Sequence, residues 1–360
     1  MRREMNRYIF SSDISRRHQR HRKRLVAVLI VLLIIAVSFF LANFLISRRV
    51  VLKEMEITVL DLPVDLEQFS ILHISDLHGA RYGEKQKAIA NALANTRYSC
   101  VVMTGDMLGE NHDVEPLLEL IALMPAETPK FFIPGEADGD FIDYEPHSSL
   151  SVYTEWAVRL QAAGVQILDR PISITREKGT IWFIPVDVYT MDLDGHEWTC
   201  RQQLKDLNAR ATSLTASDAV KMRALEYELE RVAAIRASQE QFKEGDIQIV
   251  LTHEPLKKDY VDQMLSWTNK GDFFSMRYAR LILAGHYNGG QWRIPFYGAI
   301  YVPDKGWFPN DSEITGLSYL RDIPQYISPG LGSDPRYEWQ SGRLFNSPVI
   351  TRITLTRYDR

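Results

Sequence analysis

The segment Ile71–His78, with the sequence ILHISDLH, is an apolar run of strand length that ends in two side chains able to bind a metal ion. Asp76 and His78 follow the predicted strand directly. A second apolar run, Cys100–Thr104, has the same form and leads through one glycine to Asp106. A single Asp or His after a strand is most often a turn former or a helix cap. Five such endings along the chain, these two and three after later strands, together indicate a shared site.

Apolar runs of strand length alternate with helical patterns on both sides of this segment, which predicts an α/β sheet. The predicted strands are Ile71–Ser75, Cys100–Thr104, Lys130–Pro134, Thr180–Val186, Ile247–Thr252 and Leu281–Ala284, with a final strand at Val349–Thr356. The predicted helices are Glu84–Thr96, Val114–Met124 and Leu150–Ala163, each with apolar residues at spacings of three and four.

Three further predicted strands end in polar side chains of the same kind: Glu136, His253, and the pair His286 and Asn288. The carboxyl ends of strands in an open α/β sheet meet at one crevice, where ligands bind. Carboxylates and neutral imidazoles, without clustered cysteines, suit Mn²⁺, Fe²⁺, Zn²⁺ or Mg²⁺. A carboxylate shared by two such ions, about 3.5–4 Å apart, would let them clamp both oxygens of a phosphoryl displacement. The sequence therefore predicts a site for two divalent ions and phosphoester hydrolysis.

The N-terminus has a different character from the rest of the chain. Residues 1–24 form a basic tail, and Leu25–Ile46 contains no charged residue. At about 1.5 Å per helical residue this run can cross a hydrocarbon core roughly 30 Å thick. Because Arg48 and Arg49 follow it without a small-residue cleavage site, we expect an uncleaved transmembrane anchor. The excess of basic residues before the run predicts a cytoplasmic N-terminus and an extracytoplasmic domain over residues 50–360.

Two regions stand apart from the alternation of strands and helices. Residues 197–242 contain no Gly or Pro and predict an insertion made of one long helix or a helical hairpin. It is interpreted as a cover on the sheet edge, a substrate lid or a protein-binding arm. Residues 292–337 are rich in Gly, Pro and aromatics and predict loops that wall a cleft. The aromatic residues of this region, together with the anchor, favour a lipid-linked or envelope phosphoester as the substrate. They are Trp292, Phe296, Tyr297, Tyr301, Trp307 and Phe308. Since the domain is acidic, no nucleic-acid partner is expected.

Taken in order, the strand endings resemble the calcineurin-like metallophosphoesterases, and especially their bacterial membrane-anchored branch, over roughly residues 55–357. The blocks that carry the resemblance are Asp76-Leu77-His78, Gly105-Asp106-Met107, Gly135-Glu136-Ala137-Asp138, Thr252-His253-Glu254-Pro255 and Gly285-His286-Tyr287-Asn288. Ser328-Pro329-Gly330-Leu331-Gly332 and Asn346-Ser347-Pro348-Val349-Ile350 also look like that branch. The resemblance implies a four-layer α/β sandwich behind the anchor. Relatives that cleave a nucleotide-linked lipid pyrophosphate make such a substrate an expectation for this chain.

The resemblance also implies a ligand set. One metal ion would be held by Asp76, His78, Asp106 and Asn288, the last at a position where the family usually has histidine. The other would be held by Asp106, Glu136, His253 and His286, with Glu136 where the family usually has asparagine. Asp106 would bridge the two ions.

A histidine that the family uses to protonate the departing oxygen is replaced in this chain by Ala137. His147 is a candidate substitute, because it follows the Glu136 block in the chain, although the interpretation as an exposed loop residue is favoured. Asn111-His112-Asp113 is interpreted as a helix start and His73 as a core residue. Arg81 is a candidate phosphate ligand or a solvated arginine. The combined departures at Glu136, Ala137 and Asn288 leave an alternative open, in which the chain is a metal-binding or protein-interaction module.

Overall fold

The computed structural model describes residues 2–143, 152–210, 214–266, 275–335, 340 and 342–358, with side chains from residue 21 onward. It separates into two compact units, Met1–Arg48 and Arg49–Arg360. The first is helix α1 (Arg2–Arg48), of which His21–Arg48 is long and apolar enough to cross a membrane. Its large apolar side chains are exposed, as Leu33 is at 63% and Phe40 at 69%.

The second unit is built from short strands and helices. In chain order, the strands are β1 (Val51–Val59), β2 (Ser70–Ile74), β3 (Cys100–Thr104), β4 (Lys130–Ile133), β5 (Val165–Ile167), β6 (Ile172–Thr175), β7 (Thr180–Pro185), β8 (Ile247–Leu251), β9 (Ala279–Ala284), β10 (Arg293–Ile294), β11 (Gly298–Ala299), β12 (Tyr301–Val302), β13 (Gly306–Trp307), β14 (Gly316–Leu320), β15 (Ile323–Ile327) and β16 (Val349–Arg357). The helices are α2 (Lys87–Leu93), α3 (Glu115–Ile121), α4 (Glu155–Ala162), α5 (Leu193–Ala209), α6 (Ala216–Gln241) and α7 (Lys258–Ser266).

The strands form two mixed sheets and two short hairpins. The first sheet has the order β1-β16-β2-β3-β4-β5 and the second the order β14-β15-β9-β8-β7-β6. β2, β3 and β4 run parallel, as do β7, β8 and β9, so the carboxyl ends of each set lie at one sheet edge. β16 is antiparallel to β2 and β1 is parallel to β16. The first residue of β1 therefore lies at the edge where β2 ends.

The two sheets pack face to face because each strand is apolar on its inner side. Phe131 of β4 and Phe183 of β7 meet across the interface with ring centroids 4.8 Å apart. The outer face of the first sheet is covered by α2, α3 and α4, and that of the second by α6 and α7. Each fully buried large apolar side chain contributes about 1.5–3 kcal/mol to the core. The predicted four-layer α/β sandwich is confirmed.

The helical bounds differ from the predicted ones in informative ways. The predicted helix Glu84–Thr96 begins with a 3-10 turn over Glu84–Gln86, because Lys85 and Gln86 have left-handed backbones (φ 48° and 58°). The insertion is a hairpin of α5 and α6 that starts four residues before position 197, where the Asp192 side chain accepts a hydrogen bond from Gly195 N. Thr215 and Asp218 form a capping box that begins α6.

His73 is a buried core residue, as predicted. Its Nε2 lies 2.8 Å from the Thr104 hydroxyl and its ring packs edge-on against Tyr326. Burial lowers the pKa of His73 to about 3, so the ring is neutral at physiological pH. It belongs to the packing between the sheets.

Candidate metal centre

Asp76, His78 and Asp106 come together in the loops that follow β2 and β3. One ligand atom from each lies within 4.8 Å of the others, and His78 Nε2 is 3.8 Å from Asp106 Oδ2. The two loops are joined by backbone hydrogen bonds from Asp76 N to Gly105 O (3.0 Å) and from His78 N to Asp106 O (2.9 Å). All three residues have left-handed backbones, with φ between 46° and 54°. Such conformations cost about 1–3 kcal/mol each and concentrate at functional sites.

His253 approaches the carboxylate of Asp106 from the second sheet, and His286 lies beside His253. His253 Nε2 is 3.3 Å from Asp106 Oδ2, and His286 Nδ1 is 3.2 Å from His253 Nε2. The Nδ1 of His253 donates to the carbonyl of Thr104 at 2.8 Å, which orients the Nε2 face toward Asp106. Asp106 Oδ2 therefore lies between a histidine of each sheet, the position that a shared ligand requires.

Two buried oxygens at the centre have no hydrogen-bond partner among the described residues: Asp76 Oδ2 and Asn288 Oδ1. Both face Gly330, where a Cβ would lie 3.1 Å from the first oxygen and 3.4 Å from the second. A buried oxygen left without a partner costs about 1–3 kcal/mol. Two buried oxygens that converge on one point are the ligands that a hard cation prefers. The residues therefore fit a divalent ion.

The carboxylates give the centre a strongly negative electrostatic potential. Burial raises the pKa of Asp76. Although burial opposes it, the hydrogen bond to Asp106 and the charges of Asp76 and Asp106 raise the pKa of His253 to about 9. The proton on the His253 ring gives the centre a positive charge. A metal cation would supply that charge instead, and its binding would release the proton from His253.

Small residues let the ligands approach one another closely. A Cβ on Gly135 would lie 2.3 Å from Asp106 Oδ1, and one on Gly285 would lie 2.7 Å from Asp76 Oδ2. Contacts this short are not tolerated, so both positions require glycine. In the sequence, a glycine directly precedes each of Asp106, Glu136 and His286, and this pattern indicates the close approach of the ligands.

Sequence reasoning missed Asp138, which organises the loops around the centre. It is fully buried, and its carboxylate accepts hydrogen bonds at 2.8 Å from the backbone N–H groups of Met107, Leu108 and Gly135. It thus joins the loop of Asp106 to the loop of Glu136. Burial raises the pKa of Asp138 to about 6.

Glu136 lies at the mouth of the centre. It is exposed and lines a cavity of about 480 Å³ together with Glu254, Lys257, His286, Pro303, Asp304 and Asp334. A second cavity of about 480 Å³ runs from Glu136 and His253 to Tyr227, Glu228 and Arg231 of α6. Arg231 pairs there with Asp187 and lies 3.6 Å from Glu228. The insertion therefore both covers the second sheet, through Ile235, and walls a cavity beside the metal centre.

The loops that carry the predicted metal ligands lie within a segment that known proteins share. The sequence profile of the calcineurin-like phosphoesterases matches residues 69–288, a range that contains all seven predicted metal ligands. The chain belongs to the calcineurin-like phosphoesterase family. Its members act on phosphoric esters, so the protein is a phosphoric ester hydrolase by family, and its Asp76, His78 and Asp106 form a possible metal site.

Solved structures and curated sequences add two further findings. A solved structure similar to the chain is the phosphopantetheinyl hydrolase from Mycobacterium tuberculosis, at 14% identity and a TM-score of 0.37, covering 80% of this chain and 96% of that one. No curated protein sequence matches the chain significantly.

The remaining predicted residues of this phosphoesterase have mixed outcomes. Arg81 is half exposed and faces the carboxylates of Glu119 (3.3 Å) and Asp113 (4.0 Å), so its contact with a phosphate stays a prediction. Asp113 Oδ1 accepts from Glu115 N at the start of α3, which agrees with the helix-start interpretation. His147 lies outside the described residues. The half-buried Ala137 donates its backbone N–H to Asp106 Oδ1 at 2.8 Å, and its methyl group cannot transfer a proton.

Proposed function

We propose that this protein hydrolyses phosphoesters at the membrane surface with two divalent ions. Asp76, His78, Asp106 and Asn288 would hold one ion, and Asp106, Glu136, His253 and His286 the other. The observation that carries the proposal is the position of Asp106 Oδ2 between His78 and His253, beside the unpartnered oxygens of Asp76 and Asn288. When bound, such ions activate a water molecule and stabilise the negative charge that develops on the phosphoryl oxygens.

The side chains around the centre determine how the leaving group departs from the phosphorus. His253, held by the Thr104 carbonyl, and Asp106, held by Ala137 N, are fixed in position before substrate arrives. Lys257 contributes a positive charge to the cavity that Glu136 and His286 line. No proton donor stands at position 137, so the departing oxygen must leave largely unprotonated from that side. This favours substrates with good leaving groups, such as another phosphate.

We infer that the substrate is a phosphodiester or pyrophosphate linked to a lipid. The apolar helix ends at Arg48, and only Arg49 and Val50 separate it from β1, which starts at the sheet edge where Asp76 follows β2. The chain path from the apolar helix to the sheet edge that bears Asp76 is therefore short, which supports a substrate at the membrane. The acidic groups of the second cavity, among them Glu136, Asp140, Asp169, Asp187 and Glu228, disfavour a nucleic acid.

Removal of metal tests the activity. We expect the full-length protein in detergent to hydrolyse bis-p-nitrophenyl phosphate, to lose this turnover on chelation, and to regain it with Mn²⁺, Fe²⁺, Zn²⁺ or Mg²⁺ added singly. The ion that restores turnover identifies the working metal. Stoichiometric metal binding without any turnover of aryl or pyrophosphate substrates would contradict the proposal and favour a binding module.

The location of the domain is a separate prediction. The basic residues before the apolar run Leu25–Ile46 favour a cytoplasmic N-terminus, so the domain over residues 50–360 is expected outside the cell. Protease added to intact spheroplasts should digest the domain, while a cytoplasmic marker protein survives. Protection of the whole domain until lysis would show that the orientation is reversed.

A further inference from the structure

An aromatic surface lies on the two short hairpins β10–β11 and β12–β13. Phe296 is fully exposed, and Tyr297, Trp307 and Phe308 are exposed at 67%, 64% and 50%. The Phe308 ring packs against Tyr297 at 5.5 Å and Trp307 at 6.2 Å between centroids, and Ile294 adds an exposed aliphatic side chain. Phe296 and Phe308 have left-handed backbones (φ 66° and 50°), which bulky residues rarely adopt. Contiguous exposed apolar groups of this kind mark an interaction surface.

The aromatic hairpins adjoin the metal centre. The turn between β12 and β13 places Asp304 Oδ2 at 3.4 Å from His286 Nε2, and Lys305 Nζ lies 5.7 Å from the centre of the Tyr287 ring. Pro303 and Asp304 also line the cavity that Glu136 and His286 share. Whatever the hairpins contact is therefore close to the mouth of the site.

A short path of hydrogen bonds and chain also connects the hairpins to Val51, where the chain enters the domain. Arg293 N donates to Leu344 O at 2.9 Å, and Val51 N donates to Pro348 O at 2.9 Å. The stretch from Leu344 to Pro348 can span at most about 14 Å, at roughly 3.3–3.6 Å per residue. Arg49 and Val50 add at most about 10 Å between Val51 and the end of α1 by the same rule. The chain path from the end of α1 to the base of β10 is therefore short.

We propose that the aromatic hairpins dock into the interfacial layer of the lipid bilayer. Trp and Tyr favour this layer because their rings are apolar and their N–H or O–H groups reach water. The two basic residues of the hairpins are paired with acids, Arg293 with Asp311 and Lys305 with Glu313, so the surface carries no excess positive charge from them. Docking should therefore depend on apolar insertion rather than on anionic lipids. It places the mouth of the metal centre at the level of lipid headgroups and rests on the anchoring proposed above.

Site-directed spin labelling of the full-length protein in phosphatidylcholine nanodiscs tests this inference. Phe296→Cys carries the label on the hairpins, Leu33→Cys carries it on α1, and Trp198→Cys, exposed at 65% on α5, is the matched control. Cys100 and Cys200 are buried, so the parent protein gives the labelling background. We expect oxygen to relax the labels at positions 33 and 296 in preference to chromium oxalate, with position 296 about 5–10 Å below the headgroup boundary. The label at position 198 should respond to chromium oxalate.

The other outcomes separate this inference from the anchoring. A label that is in lipid at position 33 and in water at position 296 leaves the anchor intact and overturns the docking. Labels in water at both positions overturn the anchoring and the docking together. A label at position 296 that is shielded from both reagents indicates a protein contact, either a partner or a second copy, and also overturns the docking.

Discussion

The variant Asp106→Asn is expected to lose both metal ions and to lower the turnover of bis-p-nitrophenyl phosphate by about 10³-fold or more. Charge stabilisation by bound ions supplies several kcal/mol of barrier reduction, and each 1.36 kcal/mol is a factor of ten in rate. The variant is conservative, because the Asn carbonyl can still accept the hydrogen bond from Ala137 N. Only the oxygen that faces His78 and His253 becomes an amide nitrogen, which cannot bind a cation. Metal analysis of the purified protein and the rate assay check the two losses separately.

Asp259→Asn is the matched control, since Asp259 is exposed at the start of α7 and belongs to no part of the centre. It should keep both ions and the parent rate. Asn288→Ala should weaken one ion selectively, because Asn288 lies near His78 and not between the two histidines of the second sheet. A single ion that survives in Asp106→Asn under metal excess, with parent turnover, would exclude a bridging role for Asp106.

The second large effect is a gain of activity. Ala137→His, ideally with Glu136→Asn, is expected to raise the turnover of alkyl phosphoesters by about 10²-fold, the lower end of what a positioned general acid contributes. Turnover of p-nitrophenyl esters should rise much less, because an aryl leaving group needs little protonation. The structure favours this position, since Ala137 N donates to the carboxylate of Asp106 and the side chain is half buried beside it. Paired rate measurements on an alkyl and an aryl ester, with metal content monitored, check the prediction.

Equal gains on both esters, or no gain while metals stay bound, would show that the proton donor belongs elsewhere. In that case the next variant is His147→Ala in the parent chain. A loss of alkyl-ester turnover there, with aryl-ester turnover retained, would identify a relocated acid. Retention of both rates would leave the natural substrate as one whose leaving group needs no acid.

The parts of the fold that the sequence predicts are those that local chemistry determines. β3 was predicted at its observed bounds because a continuous apolar run stops at Gly105, where φ is 80°. The candidate metal centre follows from topology, since parallel strands that end in potential ligands bring those side chains to one edge. The hairpins β10–β13 have strands of two residues, too short for any periodicity to register. Asp138 and the unpartnered Asn288 oxygen depend on contacts between loops distant in the chain, which no local pattern encodes.

The order of strands in the first sheet bears on when the domain can fold. β16 lies between β1 and β2 and pairs with β1 over nine residues, from Val51 with Val349 to Val59 with Arg357. β1 follows the apolar helix directly and leaves the ribosome early, whereas its partner is synthesised 298 residues later, by the same register. β1 therefore lacks its partner in this sheet until synthesis reaches β16, which begins at Val349. A chain exported during synthesis would reach the far side of the membrane before this sheet could close. The sheet, and with it the metal centre that borders β2, would then be completed after translocation. A folded domain would therefore not obstruct translocation.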